Sequence, residues 1–177
     1  IETPTLNLNR LKSTGIDFEL GYRPSGELLG GAMQLRLIAS YLQKQRQDIS
    51  NGTSTDRAGE VGLTANPRWT ATANITWSRG PFELFVQERF ISAGKYDVTR
   101  QEPQRIEDNS VKSVFYTDAT ASYRVDKRFR LFFTVNNLFD RNPPLAPNGT
   151  LVTFVPTNSQ LYDVIGRQFT AGVNLSF

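Results

Sequence analysis

Residues 169–177 of this chain, Phe-Thr-Ala-Gly-Val-Asn-Leu-Ser-Phe, alternate between apolar and polar or small side chains. Successive side chains of a β-strand point to opposite faces, so this stretch predicts a strand with one apolar and one polar face. A membrane β-barrel requires such strands, because one face meets lipid and the other faces the lumen. The stretch therefore favours a membrane barrel, although one strand alone fits other all-β folds.

The same two-residue period recurs in six other segments that are bounded by turn residues. These segments are 16–22, 33–41, 69–78, 82–90, 115–124 and 131–136. One residue departs from the pattern: Glu88 falls on the apolar face, where we expect it near the lipid headgroups. No helical spacing competes over a useful length. The chain is thus predicted to be all-β, with about seven antiparallel strands.

The connections between these segments alternate in length. They are short at 23–31, 79–81 and 124–129, and long at about 46–66, 93–112 and 139–165. Outer-membrane barrels have short periplasmic turns and long extracellular loops. Three segments also carry aromatic pairs eight residues apart, about 25 Å in a strand, which matches the height of the apolar band. These pairs are Trp69 and Trp77, Phe115 and Tyr123, and Phe169 and Phe177.

The composition excludes several kinds of chemistry. The 177 residues include no Cys and no His, which excludes disulfides, thiolate catalysis, a Ser-His-Asp triad and most zinc sites. The net charge of +3 is scattered along the chain, so no nucleic-acid-binding stripe is predicted. We expect no enzyme activity, no cofactor and no metal site.

Two other architectures fit part of the pattern. A soluble β-sandwich that binds carbohydrate also alternates with a period of two, but its core needs bulky residues on both inner faces. The polar faces here are rich in Thr, Ser and Asn instead. A small autonomous eight-stranded barrel has a suitable length but needs one more strand than the pattern supplies.

Several motifs resemble those of one known family. Residues 136–140, Asn-Asn-Leu-Phe-Asp, are similar to the segment that follows the second-last strand of TonB-dependent outer-membrane receptors. The stretch 162–169, which contains Gly166-Arg167, resembles the entry to their last strand. Residues 15–20 and 67–69 resemble earlier strands of the same barrels. The resemblance covers the whole chain and is most specific from 136 to 177.

This resemblance implies a fold, a location and a function. Family members are transporters of the bacterial cell outer membrane, with a 22-stranded barrel and a plug domain. Residues 1–177 are therefore expected to form a C-terminal portion of such a barrel, as a fragment or as one chain of a split receptor. Its partners would be outer-membrane lipid or lipopolysaccharide, the plug and remaining barrel, TonB through an N-terminal part, and the barrel-assembly machinery, which would read Phe177. The solute would be a metal–siderophore complex, a corrinoid or an oligosaccharide.

Candidate functional residues fall into two groups. The long loops carry those expected to contact a solute outside the cell: Arg46, Arg57, Tyr96, Arg100, Arg105 and Tyr162. The polar faces of the strands carry those expected to face the lumen or the plug: Asp17, Glu19, Arg36, Arg89, Asp118 and Arg124.

Two acidic groups suggest other chemistry. Asp17 and Glu19 share one strand face about 7 Å apart, a separation that suits the carboxyl pair of an inverting glycosidase. A hydrated acidic pair facing the plug is the favoured interpretation. The cluster at 107–109, Glu-Asp-Asn, could bind a divalent cation only if a tight turn made its oxygens converge, so a solvated loop is expected.

Overall fold

The computed structural model describes residues 10–48, 52–100, 102–146 and 156–176, which form ten strands. The strands are β1 Arg10–Tyr22, β2 Ala32–Asp48, β3 Ser54–Asp56, β4 Trp69–Arg79, β5 Phe82–Ile91, β6 Gly94–Lys95, β7 Ser110–Val111, β8 Val114–Arg124, β9 Phe129–Asn136 and β10 Gln168–Leu175. Within these ranges there is no helix long and apolar enough to cross a membrane. Phe177, the expected assembly signal, lies outside the described residues.

The seven long strands form one antiparallel sheet in the order β1-β2-β4-β5-β8-β9-β10. The short strand β3 extends this sheet beside β2, and β6 pairs with β7 in a separate ribbon. Over the described residues β1 and β10 do not pair with each other, so the sheet is open at both edges. The prediction of an all-β antiparallel sheet is confirmed, and within the described ranges no second large sheet packs on it as a sandwich requires.

The predicted alternation of connection lengths is also present. Gly80 and Pro81 alone join β4 to β5, and Gly80 has a φ of 55°, a left-handed conformation that glycine adopts without strain. Residues 125–128 join β8 to β9, whereas 92–113 and 137–167 form long connections at the other end of the sheet. The sheet therefore has a short-turn end and a long-loop end.

One face of the sheet is apolar and uncovered. Its exposed side chains include Phe18, Leu20 and Phe169, which are 50%, 61% and 63% accessible. Aromatic rings meet across strands near both ends of this face. At the long-loop end Tyr41 and Trp69 have ring centroids 4.7 Å apart, and at the short-turn end Phe82 and Tyr123 are also 4.7 Å apart. This outer face has the apolar band and aromatic borders of a membrane barrel wall.

Glu88 is the acidic exception on the outer face. It pairs in register with Ala73 on β4 and Thr117 on β8, and it lies two residues from Phe90. The hydroxyl of Thr117 donates a hydrogen bond to its carboxylate. The predicted departure from alternation is therefore present, one step inside the aromatic border, and a neighbouring side chain satisfies part of its hydrogen-bonding capacity.

A β-bulge interrupts the pairing of β1 with β2. Gly15 pairs with Leu42, but the preceding residue Thr14 pairs with Lys44, so Gln43 is an extra residue on β2. A Cβ atom at Gly15 would lie 2.5 Å from the carbonyl oxygen of Tyr41, so glycine is needed opposite the bulge. The extra residue shifts the alternation of β2 by one, which turns Lys44 to the same face as Thr14.

Candidate functional site

The long loops fold together over the polar face of the sheet. We call this assembly the loop cap and define it as residues 57–66, 94–100, 102–112, 137–146 and 156–163. Its core joins loop side chains to inward-facing residues of β5 and β8, and Tyr116 at the centre is fully buried. The members are Val61, Ile91, Val111, Val114, Tyr116, Ala146 and Tyr162, with Tyr96 and Leu161 against them.

Glu60 organises the first part of the loop cap. Its side chain is fully buried, and both of its oxygens accept hydrogen bonds from Arg57 Nη1, at 2.8 and 2.9 Å. Thr64 Oγ1 and the backbone N–H of Val98 donate further bonds at 3.0 and 2.9 Å. A buried carboxylate needs this many donors, because burial without them is costly. Glu60 therefore ties the first long loop to the second.

Asn158 joins the third long loop to the first. It is fully buried, and its Nδ2 donates to the carbonyl oxygens of Val61, Gly62 and Thr64 at 3.1–3.3 Å. These carbonyls lie more than 90 residues earlier in the chain. Asn158 therefore holds two distant segments in one arrangement.

Asp97 and Asn109 close the second long loop on itself. Asn109 is buried, donates from Nδ2 to the carbonyl oxygen of Asp97 at 2.8 Å and accepts from the Asp97 N–H at 3.0 Å. Burial opposes the charged form of the Asp97 carboxyl, but hydrogen bonds from Thr99 and Arg100 outweigh it and lower its pKa. The Arg100 Nε donates at 3.1 Å.

The two motifs that suggest the family are in contact with each other. Asn137 and Asp140 both have positive φ, 50° and 51°, so a tight left-handed turn follows β9. The Asp140 carboxylate accepts the backbone N–H of Arg167 at 3.0 Å. The Asn137 side chain bonds the backbone of Arg141 in both directions and donates to Asp163 at 3.2 Å. These contacts fix how the chain enters β10.

A polar cavity of about 380 Å³ lies between the loop cap and the inner face. Arg89 Nε lies 3.4 Å from Asp118 Oδ2, and its guanidinium carbon lies 5.3 Å from the centre of the Tyr116 ring. Arg89 Nε is buried and has no hydrogen-bond partner among the described residues. The lining also supplies amides and a second carboxylate; it consists of Arg89, Asp118, Asn136, Ser159, Gln160, Leu161, Tyr162, Asp163 and Gln168.

The other residues that were expected to face the lumen form pairs across neighbouring strands. Ser40 donates to Asp17 at 2.6 Å, and Arg36 Nη2 lies 2.9 Å from Glu19. Asp17 and Glu19 are thus engaged by different partners. Arg124 pairs in register with Arg130, whose guanidinium lies 3.5 Å from Glu83.

The residues expected to contact a solute are distributed over the loop cap and β2. Arg57 and Arg100 form ion pairs inside the loop cap. Tyr162 is buried in the core, which raises the pKa of its phenol to about 12. Tyr96 packs against the same core, and Arg105 is exposed. Arg46 belongs to β2 and pairs with Asp48 at 2.8 Å. Their contact with a solute stays a prediction.

A second cavity, of about 520 Å³, has a largely apolar lining that includes Tyr96, Ile106 and Leu145. The 107–109 cluster lies beside it, but its oxygens do not converge. Asp108 accepts the backbone N–H of Ser110 at 2.8 Å, which together with the Ser110 hydroxyl lowers its pKa, while Asn109 is buried. Among the described residues no group of three acidic side chains could hold a metal ion.

Sequence reasoning missed the residues that organise the loop cap, chiefly Glu60, Asn109, Asn137 and Asn158. For two of the ion pairs a local signal exists, because Arg57 and Glu60, like Asp97 and Arg100, are three residues apart with opposite charges. For Asn158 no local signal exists, since its partners are distant in sequence.

Comparison with known proteins gives one match. A family model described as TonB dependent receptor-like, beta-barrel matches residues 2–138. No curated protein and no solved structure matches the chain. The matched range covers β1 to β9, and thus most of the sheet and the first two long loops.

Proposed function

This chain belongs to the TonB dependent receptor-like β-barrel family, and on that premise we propose that it forms wall and extracellular loops of an outer-membrane receptor that imports a scarce solute. Members of the family are transporters and not enzymes. The observation that carries the proposal is the single antiparallel sheet with an exposed, aromatic-bordered apolar face and long loops at one end. Such a face is stable against lipid and would aggregate in water.

The open edges support a place within a larger barrel. Unpaired backbone groups are not tolerated in the hydrocarbon of a bilayer, so β1 and β10 need strand partners there. We propose that residues 1–177 are the C-terminal portion of the barrel domain and that further strands, in the same or a separate chain, complete it. Barrel-assembly machinery that reads Phe177 belongs to the same proposal.

The lumen-facing charges support contact with a plug and a solute. Arg36 pairs with Glu19, and Asp17 accepts a hydrogen bond from Ser40, yet all three charged side chains are exposed on the inner face and remain accessible to a plug domain. The cavity beside Arg89 lies under the loop cap, near the extracellular ends of the strands. Its amides, its carboxylates and the Arg89 guanidinium suit a polar solute such as a metal–siderophore complex, a corrinoid or an oligosaccharide.

An uptake assay tests the proposal. The full receptor that carries this chain is expressed in a Gram-negative strain lacking it, and accumulation of labelled solutes from the three classes is measured. We expect uptake of one class, dependent on an intact TonB protein, because energy coupling acts through the plug. A strain without TonB serves as the control. Equal accumulation of every small solute with or without TonB would indicate an open pore and contradict the proposal.

A further inference from the structure

The bulge at Gln43 places positive charge on the outer wall. Beyond the bulge, Lys44 pairs with Thr14 and Arg46 pairs with Lys12, so these side chains share the face of Phe18 and Tyr41. Strict alternation from Tyr41 would have turned Lys44 and Arg46 into the lumen. We define the cationic patch as Arg10, Lys12, Lys44 and Arg46, all of them exposed.

The charges of the cationic patch are only partly balanced. Asp48 pairs with Arg46 at 2.8 Å, and Asp56 pairs in register with Arg46 on the other side. One Asp56 oxygen already accepts the backbone N–H groups of Gln45 and Ala58. Four cations therefore face two carboxylates. Lys12 lies directly opposite Arg46, an arrangement of like charges that destabilises a sheet unless an anion lies between them.

The height of the patch matches a lipid headgroup. Tyr41 and Trp69 mark the aromatic border on this part of the wall. Lys44 pairs with Thr14, two residues along β1 from Ile16, the partner of Tyr41, so it lies about 7 Å along the strand and about 5 Å along the membrane normal for a tilted strand. Headgroups extend about 5–8 Å beyond the hydrocarbon on each side of a bilayer. The lysine therefore reaches the layer in which lipid phosphates lie.

We propose that the cationic patch binds the phosphate groups of an anionic lipid in the outer leaflet, with the acyl chains lying against the aromatic border below it. Lys12, Lys44 and Arg46 surround the phosphate, and Tyr41, Phe18 and Trp69 contact the chains. The position of the patch above an apolar face favours a lipid over a free anion. The phosphate of a lipid would meet the cations, and its acyl chains would meet the apolar side chains. The site depends on the membrane orientation of the wall and not on the imported solute.

Binding of diphosphorylated lipid A to the full receptor in nonionic detergent tests the site. The variant Lys12→Gln/Lys44→Gln removes two charges without breaking an ion pair among the described residues. Each cation near an anionic lipid surface contributes about a factor of five, so we expect binding about 25-fold weaker. The matched control, Lys127→Gln/Arg128→Gln, makes the same change in the exposed short turn and is expected to bind normally.

Charge-conserving substitution separates charge from folding. Lys12→Arg/Lys44→Arg should retain binding of diphosphorylated lipid A. Lipid A without phosphates should bind weakly to the original chain, with the same loss of affinity that the Gln variant shows for diphosphorylated lipid A. Unchanged binding by the Gln variant, an equal loss in the control, or full displacement by inorganic phosphate would each overturn the proposal. Solute uptake is measured in parallel: its loss with intact lipid binding would contradict the proposed transport function and leave the lipid site standing.

Discussion

Replacement of Glu60 should open the loop cap while the barrel wall stays folded. In Glu60→Ala, Arg57 Nη1, Thr64 Oγ1 and the Val98 N–H all lose an acceptor inside the cap. None of these groups belongs to the membrane-facing sheet. The variant therefore tests whether the cap is a separate cooperative unit that Glu60 stabilises.

The size of the effect follows from the burial of the pair. Removal of one partner from a buried ion pair costs about 3–5 kcal/mol. Arg57 is 24% exposed and keeps a hydrogen bond to Gln47 at 2.8 Å, so the lower end, about 3 kcal/mol, is expected. This free energy corresponds to an increase of about 100-fold in the population of the open cap. Glu60→Gln keeps the shape and some acceptors, so an increase of about 10-fold is expected.

Hydrogen exchange of the full receptor in detergent measures the opening. The reporters are backbone N–H groups that bond across the cap: Val61 to Lys95, Lys95 to Gly59 and Tyr96 to Asn109, at 2.8–2.9 Å. Their exchange should accelerate by these factors. Amides between β4 and β5 should be unaffected because their bonds lie in the wall.

A matched control lies elsewhere in the loop cap. Glu107 is exposed and forms no ion pair with a described residue, so Glu107→Gln should leave all reporters unchanged. The reasoning would be refuted by unaltered cap exchange in Glu60→Ala. Equal acceleration in the cap and in the β4–β5 amides would also refute it, because the cap would then not open independently of the wall.

Four other outcomes are expected. The interactions that lower the pKa of Asp97 stabilise the cap at pH values above 3.8, the ordinary pKa of this carboxyl, and their contribution is lost as the pH falls through the lowered pKa. Hydrogen exchange in the cap, measured in a series of falling pH, should therefore accelerate less steeply in Asp97→Asn than in the original chain. The Tyr162 phenol should titrate near pH 12 and not near pH 10, as measured by ultraviolet difference spectra against Tyr162→Phe. The contribution of this phenol to cap stability is present below pH 10 and should be lost as the pH rises toward 12. Arg89→Gln should lower solute uptake at least tenfold at unchanged receptor level, whereas normal uptake would remove Arg89 from the solute path. Gly62→Ala brings a Cβ against Tyr96 and should cost about 1–3 kcal/mol, seen as faster proteolysis of the loops.

The strands of the wall were predictable because their pattern is local. Trp69 to Ser78 alternate without a break, and β4 spans Trp69–Arg79. The period follows from a wall between lipid and a polar interior, so each strand shows it independently of the others. The one-residue bulge at Gln43 was not predictable, since it depends on the approach of Gly15 from the neighbouring strand.

The loop cap was not predictable because its order comes from contacts between distant segments. Arg57 and Arg100 were expected to contact a solute as loop cations, but in the structure each pairs with a carboxylate three residues away. A loop has no period that reveals which side chains become buried. Tyr162 belongs to the core only because three loops and β8 meet around it.

The bridge from Asn158 to Val61 and Gly62 has a consequence for the order of folding. Its two ends are separated by 96 and 97 residues, with β4, β5, β8 and β9 between them. Contacts between residues so far apart in sequence form late, because other contacts must first offset the entropy cost of closing the intervening chain. We therefore expect the strands to pair before the bridge forms, so that a nascent barrel would enter the membrane uncapped and close over its mouth as the final event of maturation.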